Sequence, residues 1–214
     1  MEDLIMKRKD NYWWNRTLVM CGKPFIKFLI NTPITPNMIT IFNLLFIFPA
    51  ICIFAVWHKY YMLAFLVQVY MFLDVIDGTL ARNKHMESEF GGKLDVLADT
   101  LFYTIGYFLI GWGLEISVWQ ILSALVIQQI YGMVTTYYIV PQIRKLDNFK
   151  RTKLKEFFSQ KDILFGMDAS FETFITSAML IFPFRKYIFI VCSILWLVDL
   201  IYRLYELRRN FSER

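Results

Sequence analysis

Four aspartates, Asp74, Asp77, Asp95 and Asp99, stand in an otherwise strongly apolar stretch of the chain. A carboxylate at membrane depth costs about 3 kcal/mol or more, so where such groups persist they mark functional sites. Asp74 and Asp77 are three residues apart and Asp95 and Asp99 four, so on helices each pair shares a face. Converging like charges repel and take up protons unless cations neutralise them. The set contains no His or Cys, and hard oxygen donors of this kind suit Mg²⁺ or Mn²⁺ rather than zinc. Two such ions can clamp a diphosphate, drain charge from a leaving group and hold an in-line geometry.

Around the acids the chain reads Asp74-x2-Asp77-Gly78-x2-Ala81-Arg82-x8-Gly91-x3-Asp95-x3-Asp99. This pattern resembles the signature of the CDP-alcohol phosphotransferases, and the likeness extends to the segment Asn37 to Thr40. The resemblance implies metal-dependent transfer of a substituted phosphate from a CDP-alcohol to an acceptor alcohol, with release of CMP. It implies Asp74, Asp77 and Asp95 as metal ligands, and Asp99 as both a ligand and the base that takes the acceptor's proton. It further implies CDP-alcohol contacts from Asn37, Thr40, Gly78, Ala81, Arg82, Ser88 and Gly91, and a homodimer. Each residue also has a plainer reading. Gly78 and Gly91 allow a nucleotide close to helix backbone, or with Ala81 they let helices pack tightly. Arg82 offers a planar fork to phosphate, or it snorkels towards the interface. Ser88 can simply cap a helix, and His85 reads as a solvated loop residue.

These residues need a membrane scaffold to position them. The 214 residues are 57% hydrophobic and 18% aromatic with a mean hydropathy of +0.44, well above a soluble domain. Six stretches approach the ~20 apolar residues of a crossing helix: 38–57, 60–81, 92–114, 118–140, 162–182 and 187–204. The fold class is therefore an all-α integral membrane protein. Residues 1–36 form a cytoplasmic arm, 37–204 a six-helix bundle and 205–214 a tail, all within a single domain. Asp74 and Asp99 each lie eight residues in from the ends of the loop between spans 2 and 3, ~12 Å deep at 1.5 Å per residue. Of the 23 Lys and Arg, only Lys59, Arg185 and Lys186 fall on the opposite side from the arm, the 2–3 loop, the 4–5 loop and the tail. The positive-inside rule then puts both termini and the signature loop in the cytoplasm, as in a cell inner membrane. The net charge of +5 reflects orientation and anionic lipid rather than nucleic-acid binding.

In the arm, Trp14, Leu18, Cys21, Phe25 and Phe28 draw an apolar stripe, predicting a helix flat in the cytoplasmic interface. Pro33 and Pro36 end it, and Thr35 or Asn37 can cap the first span. The N-terminal residues lack the apolar core of a secretory signal, so the spans themselves are expected to direct insertion, with nothing cleaved. Cys21, Cys52 and Cys192 have no paired spacing and read as buried packing residues.

Beyond the signature, Asp168 and Glu172 lie four apart and could contact the acceptor's hydroxyls or an amine. Asp199 and Arg203 read as a helix-face ion pair. Gln128, Gln129 and Thr135 to Tyr138 can line a cavity, although interhelical hydrogen bonding is the stronger expectation. The donor expected is CDP-diacylglycerol and the acceptor a water-soluble alcohol. The alternative reverses the polarity, with a soluble CDP-headgroup donating to a lipid alcohol or polyol. Thr100 follows the last aspartate where members using phosphorylated inositol typically carry an arginine, which argues against that acceptor. A cation transporter would also hold acids in a bundle, but its broken helices in repeated halves have no counterpart in this sequence.

Overall fold

The computed structural model describes residues 4–6, 12–146, 149–160, 164 and 166–212. Lys7, Arg8, Lys9, Lys161 and Arg214, counted in the charge asymmetry, and the start of the fifth expected span lie outside the described residues. The described residues are helical apart from turns and one isolated bridge, Tyr12 to Leu164. In chain order the helices are α1 (Trp13–Ile30), α2 (Pro36–Val56), α3 (Tyr60–Asn83), α4 (Glu89–Gly113), α5 (Val118–Arg144), α6 (Lys153–Ser159), α7 (Ala169–Ile181) and α8 (Pro183–Ser212).

Five of these, α2, α3, α4, α5 and α8, are long and apolar enough to cross a membrane, where six spans were expected. The shortfall is α7, whose 13 residues cover about 20 Å of a hydrocarbon core about 30 Å thick. It begins only at Ala169 because Asp168 is its N-cap, accepting a hydrogen bond from Phe171 N at 3.1 Å. At the other end, α8 stays helical through Ser212, into the segment expected to be a tail.

α3 is the axis of the bundle: 61% of its most apolar window is buried, against 11% for α5. It packs on α1, α2 and α7. Gln68 at its middle joins three helices, accepting from Trp14 Nε1 at 3.0 Å and donating to Thr173 O and Ser177 Oγ, each at 2.9 Å. Below it, Tyr70 stacks on Phe102 of α4 with ring centroids 4.0 Å apart. At the end remote from the aspartates, Gly113 lets α4 touch α2, since a Cβ there would meet Ala55 O at 2.1 Å. The Gly113 carbonyl accepts from His58 Nδ1 at 2.6 Å and from the Tyr60 hydroxyl at 3.1 Å.

α1 belongs to the bundle. Its contacts step along α3 in the same chain direction, from Trp14 at Gln68, through Val19 beside Met71 and Val75, to Leu29 beside Leu80. The buried face is Asn15, Leu18, Val19, Gly22, Ile26 and Leu29. Of the expected stripe, Cys21, Phe25 and Phe28 instead lie at the outer surface. Both faces are apolar, and in a membrane apolarity does not separate protein-facing from lipid-facing positions. Cys21 is therefore not a buried packing residue, Cys52 is half-buried, and only Cys192 is fully enclosed.

Three crossing helices contain a π-helical segment: Asn43–Ile47 in α2, Phe102–Gly106 in α4 and Val134–Ile139 in α5. Pro49 and Pro141 follow two of them closely. A proline ring crowds the carbonyl four residues earlier, and a widened turn makes room for it.

Candidate active site

The turn between α3 and α4 is built locally. Arg82 to His85 closes α3, with His85 at a φ of 54° and Met86 N donating to Ala81 O at 2.8 Å. Lys84 Nζ donates to Thr32 O at 2.7 Å and Ile34 O at 2.8 Å, tying this turn to the α1–α2 connection. Ser88 starts α4 by accepting from Gly91 N at 3.0 Å. Thr35, not Asn37, caps α2, accepting from Met38 N at 3.4 Å. That leaves Asn37 on the first turn, facing the site.

One cavity of about 210 Å³ lies between these helix ends, and every residue expected to contact metal or CDP-alcohol lines it: Asn37, Thr40, Asp74, Asp77, Gly78, Ala81, Arg82, Ser88, Gly91, Asp95 and Asp99. Carboxylate oxygens of Asp74, Asp95 and Asp99 come within 4.8 Å of one another, close enough to share a divalent ion whose oxygen ligands sit at about 2.0–2.6 Å. Asp77 stands apart from that trio. It is buried and accepts from Thr40 Oγ1 at 2.6 Å. Thr40 thus fixes one carboxylate oxygen.

The glycines differ in what they do. A Cβ on Gly78 would meet nothing nearer than Arg82 Nη1 at 3.6 Å, so this position keeps the cavity open and packs no helix. A Cβ on Gly91 would meet Asn37 Oδ1 at 2.7 Å and Ser88 Oγ at 3.1 Å, so its bareness lets α4 close on α2. Arg82 does not snorkel outwards. It is buried, donating from Nη2 to Thr79 Oγ1 at 3.1 Å and from Nε to Ile5 O at 3.4 Å.

A second, larger cavity of about 400 Å³ meets the first at Asp99. Asp168 lines it, whereas Glu172 does not. Glu172 is buried behind the wall and accepts from Gln128 Nε2 at 2.6 Å. Gln128, Gln129, Thr135 and Thr136 line the cavity rather than only bonding between helices, while Tyr137 and Tyr138 face outwards. Sequence reading missed Tyr12, Tyr103, Tyr131 and Trp196, which complete the wall from four separate segments. No spacing could have joined them. The expected Asp199–Arg203 pair is present at 2.6 Å, and Arg203 also donates to the Tyr12 hydroxyl at 2.7 Å. Asp199 accepts from Tyr131 at 2.5 Å and lies 3.6 Å from Lys155 Nζ. Burial pulls the Lys155 ammonium below its usual pKa, against the opposing pull of Asp199 and Glu206.

The family model for CDP-alcohol phosphatidyltransferase matches residues 33–199. Among solved structures, apo Mycobacterium tuberculosis phosphatidylinositol phosphate synthase is 18% identical and covers 86% of this chain and 94% of its own, with a TM-score of 0.54. The same synthase in complex with manganese and citrate is 17% identical, covering 86% of this chain and 87% of its own at a TM-score of 0.53. At such identity the likeness is one of fold. A search of curated proteins finds no match. Taken with the acid-lined cavity, the family match over most of its length places this chain in the CDP-alcohol phosphatidyltransferase family, transferases of phospholipid synthesis.

Proposed function

We propose that the protein transfers the phosphatidyl group of CDP-diacylglycerol to a water-soluble alcohol and releases CMP. The observation that carries this reading is the position of Asp99, which belongs to the carboxylate trio and lines both cavities. The donor's diphosphate then occupies the smaller cavity and the acceptor the larger. Asp99 takes the acceptor's hydroxyl proton. The freed oxygen forms a bond to the phosphorus that carries the diacylglycerol, and that phosphorus breaks its bond to the bridging oxygen, which leaves with CMP.

Asp74, Asp77, Asp95 and Asp99 would hold two divalent ions, Mg²⁺ or Mn²⁺. When bound, these supply Lewis-acid stabilisation of the diphosphate and its leaving group. Thr40 orients Asp77 for that role. Arg82 faces the phosphates, and Gly78 leaves room for the nucleotide against α3. Ala81, Ser88, Gly91 and Asn37 close the remaining sides.

The fold proposed around this chemistry has six crossings, α7 among them in a locally thinned or protein-enclosed path. Both termini and the signature turn lie in the cytoplasm, and α1 runs along α3 towards that side. The chain is proposed to work in the cell inner membrane as a homodimer. The polarity-reversed reading, a soluble CDP-headgroup donor with a lipid acceptor, uses the same residues and differs in which partner enters from the lipid.

The test supplies purified protein with CDP-diacylglycerol or CDP-ethanolamine and a panel of acceptors, following CMP by mass. CMP release with CDP-diacylglycerol, abolished by a chelator and restored by Mg²⁺ or Mn²⁺, is the expected result. Turnover with CDP-ethanolamine alone would reverse the polarity, and chelator-insensitive turnover would overturn the metal assignment.

A further inference from the structure

Residues 4–6 are not helical, yet they are seated on the bundle beside Arg82, which lines the smaller cavity. Leu4 packs in the furrow between α1 and α3 against two apolar clusters, one holding Ile26 and Leu80, the other Val19 and Val75, and Met6 packs against the second. The Ile5 side chain points away and is 48% exposed. What residue 5 turns towards α3 is its peptide. Asn83 grips that peptide from both sides: Oδ1 accepts from Ile5 N at 3.0 Å, and Nδ2 donates to Ile5 O at 3.4 Å. The same carbonyl accepts from Arg82 Nε at 3.4 Å.

The worth of a guanidinium as a planar fork for phosphate depends on where its plane points. Two acceptors set the plane of Arg82. Thr79 Oγ1 takes Nη2 at 3.1 Å, and since its own hydrogen goes to Val75 O at 2.8 Å, it offers the arginine only lone pairs. Thr79 stands three residues back on the same helix and is a single pivot. Ile5 O adds a second fixed point, on Nε, from 77 residues away in sequence. With Nε and Nη2 held, Nη1 lies 3.6 Å from where a Cβ on Gly78 would stand, towards the side of the cavity that Gly78 keeps open. A side chain ordered before the ligand arrives loses less rotamer freedom when the ligand binds.

We infer that residues 4–6 are a positioning strap for Arg82 and raise the protein's affinity for the diphosphate of the CDP-alcohol. This step rests on the transfer reading above, in which Arg82 faces the phosphates. Leu4→Ser unseats the strap from the furrow and Asn83→Leu releases its peptide, and neither position lines a cavity. CMP release is followed in liposomes with CDP-diacylglycerol, or with CDP-ethanolamine where that is the donor turned over. Each variant should raise the donor's KM about 3- to 30-fold, the weight of a long hydrogen bond to a charged group. The acceptor's KM and the Mn²⁺ concentration for half-maximal activity should not move, whereas a general loosening of the fold would shift all three. Arg82→Lys keeps a charge without the fork, so adding Leu4→Ser or Asn83→Leu to it should change the donor's KM by less than about twofold, the non-additivity of groups acting through one contact. CDP affinity in Mn²⁺, by calorimetry, gives the same comparison if Arg82→Lys turns over too slowly. An unchanged or lowered donor KM in either single variant, an equal rise in the acceptor's KM, or full additivity with Arg82→Lys overturns the strap and leaves the transfer reading intact. No CMP from the unaltered protein with either donor overturns the transfer reading and the strap with it.

Discussion

At the scale of single residues, the acids divide by what holds them. Asp74, Asp95 and Asp99 face one another, while Asp77 is oriented by Thr40. Asp99→Asn should weaken Mn²⁺ binding no more than Asp95→Asn does, yet lose about 100-fold or more in turnover beyond it, the usual weight of a general base. Mn²⁺ binding by electron paramagnetic resonance, set beside CMP release, separates the two effects. Asp95→Asn should weaken Mn²⁺ and CDP-alcohol binding together, and unchanged affinity for both would contradict its role as a ligand. Thr40→Val removes the hydrogen bond that orients Asp77. A rise of about 2- to 10-fold in the Mn²⁺ concentration needed for half-maximal activity is expected, with normal expression. The signature aspartates and their glycines were legible because their spacing is short and lies on two adjoining helices. Tyr12, Tyr131, Trp196 and the Gln128–Glu172 bond were not, because each depends on helices distant in sequence meeting in space.

Helices as units explain where sequence reading went astray. Sequence reading located α2, α3, α4 and α5 within a few residues, since long apolar runs leave little choice. Along α1 it drew one stripe through Trp14 and Leu18, which pack on the bundle, and through Cys21, Phe25 and Phe28, which face outwards, because lipid and protein interior both accept apolar side chains. It also overextended α7, whose start is set by the Asp168 cap rather than by hydropathy. Two glycine substitutions distinguish packing from function at this scale. Gly113→Leu drives a side chain into the Ala55 carbonyl of α2 and should cost about 1–3 kcal/mol or more of stability, read as a lower Tm in detergent. Gly78→Val meets no helix, so it should leave Tm nearly unchanged while raising the KM for the CDP-alcohol. A Tm loss at Gly78 equal to that at Gly113 would mean that position 78 serves packing.

For the molecule as a whole, orientation is the property that charge alone proposes. The described basic residues of the α3–α4 turn, of the segment around α6 and of the end of α8 would all face the cytoplasm. In a background with Cys21, Cys52 and Cys192 replaced by Ser, single cysteines at Glu87 and Glu115 should report opposite sides. A membrane-impermeant maleimide added to intact cells should label the cysteine at 115 and spare the one at 87; the reverse pattern would invert the topology. Glu115 pairs with Lys186 at 3.7 Å in an exposed setting, so its replacement should cost little.

The π-helical segment in α5 has an evolutionary corollary. Thr135 and Thr136 reach the larger cavity from inside it, and one residue of an α-helix turns the chain by about 100°. The widened turn absorbs that angle, so deleting a single amino acid there would restore regular winding, keep the flanking helix faces in place and withdraw Thr135 or Thr136 from the cavity wall. Relatives with a different alcohol preference could therefore differ by a one-residue gap at this point rather than by any substitution, a change that comparison by residue type would overlook.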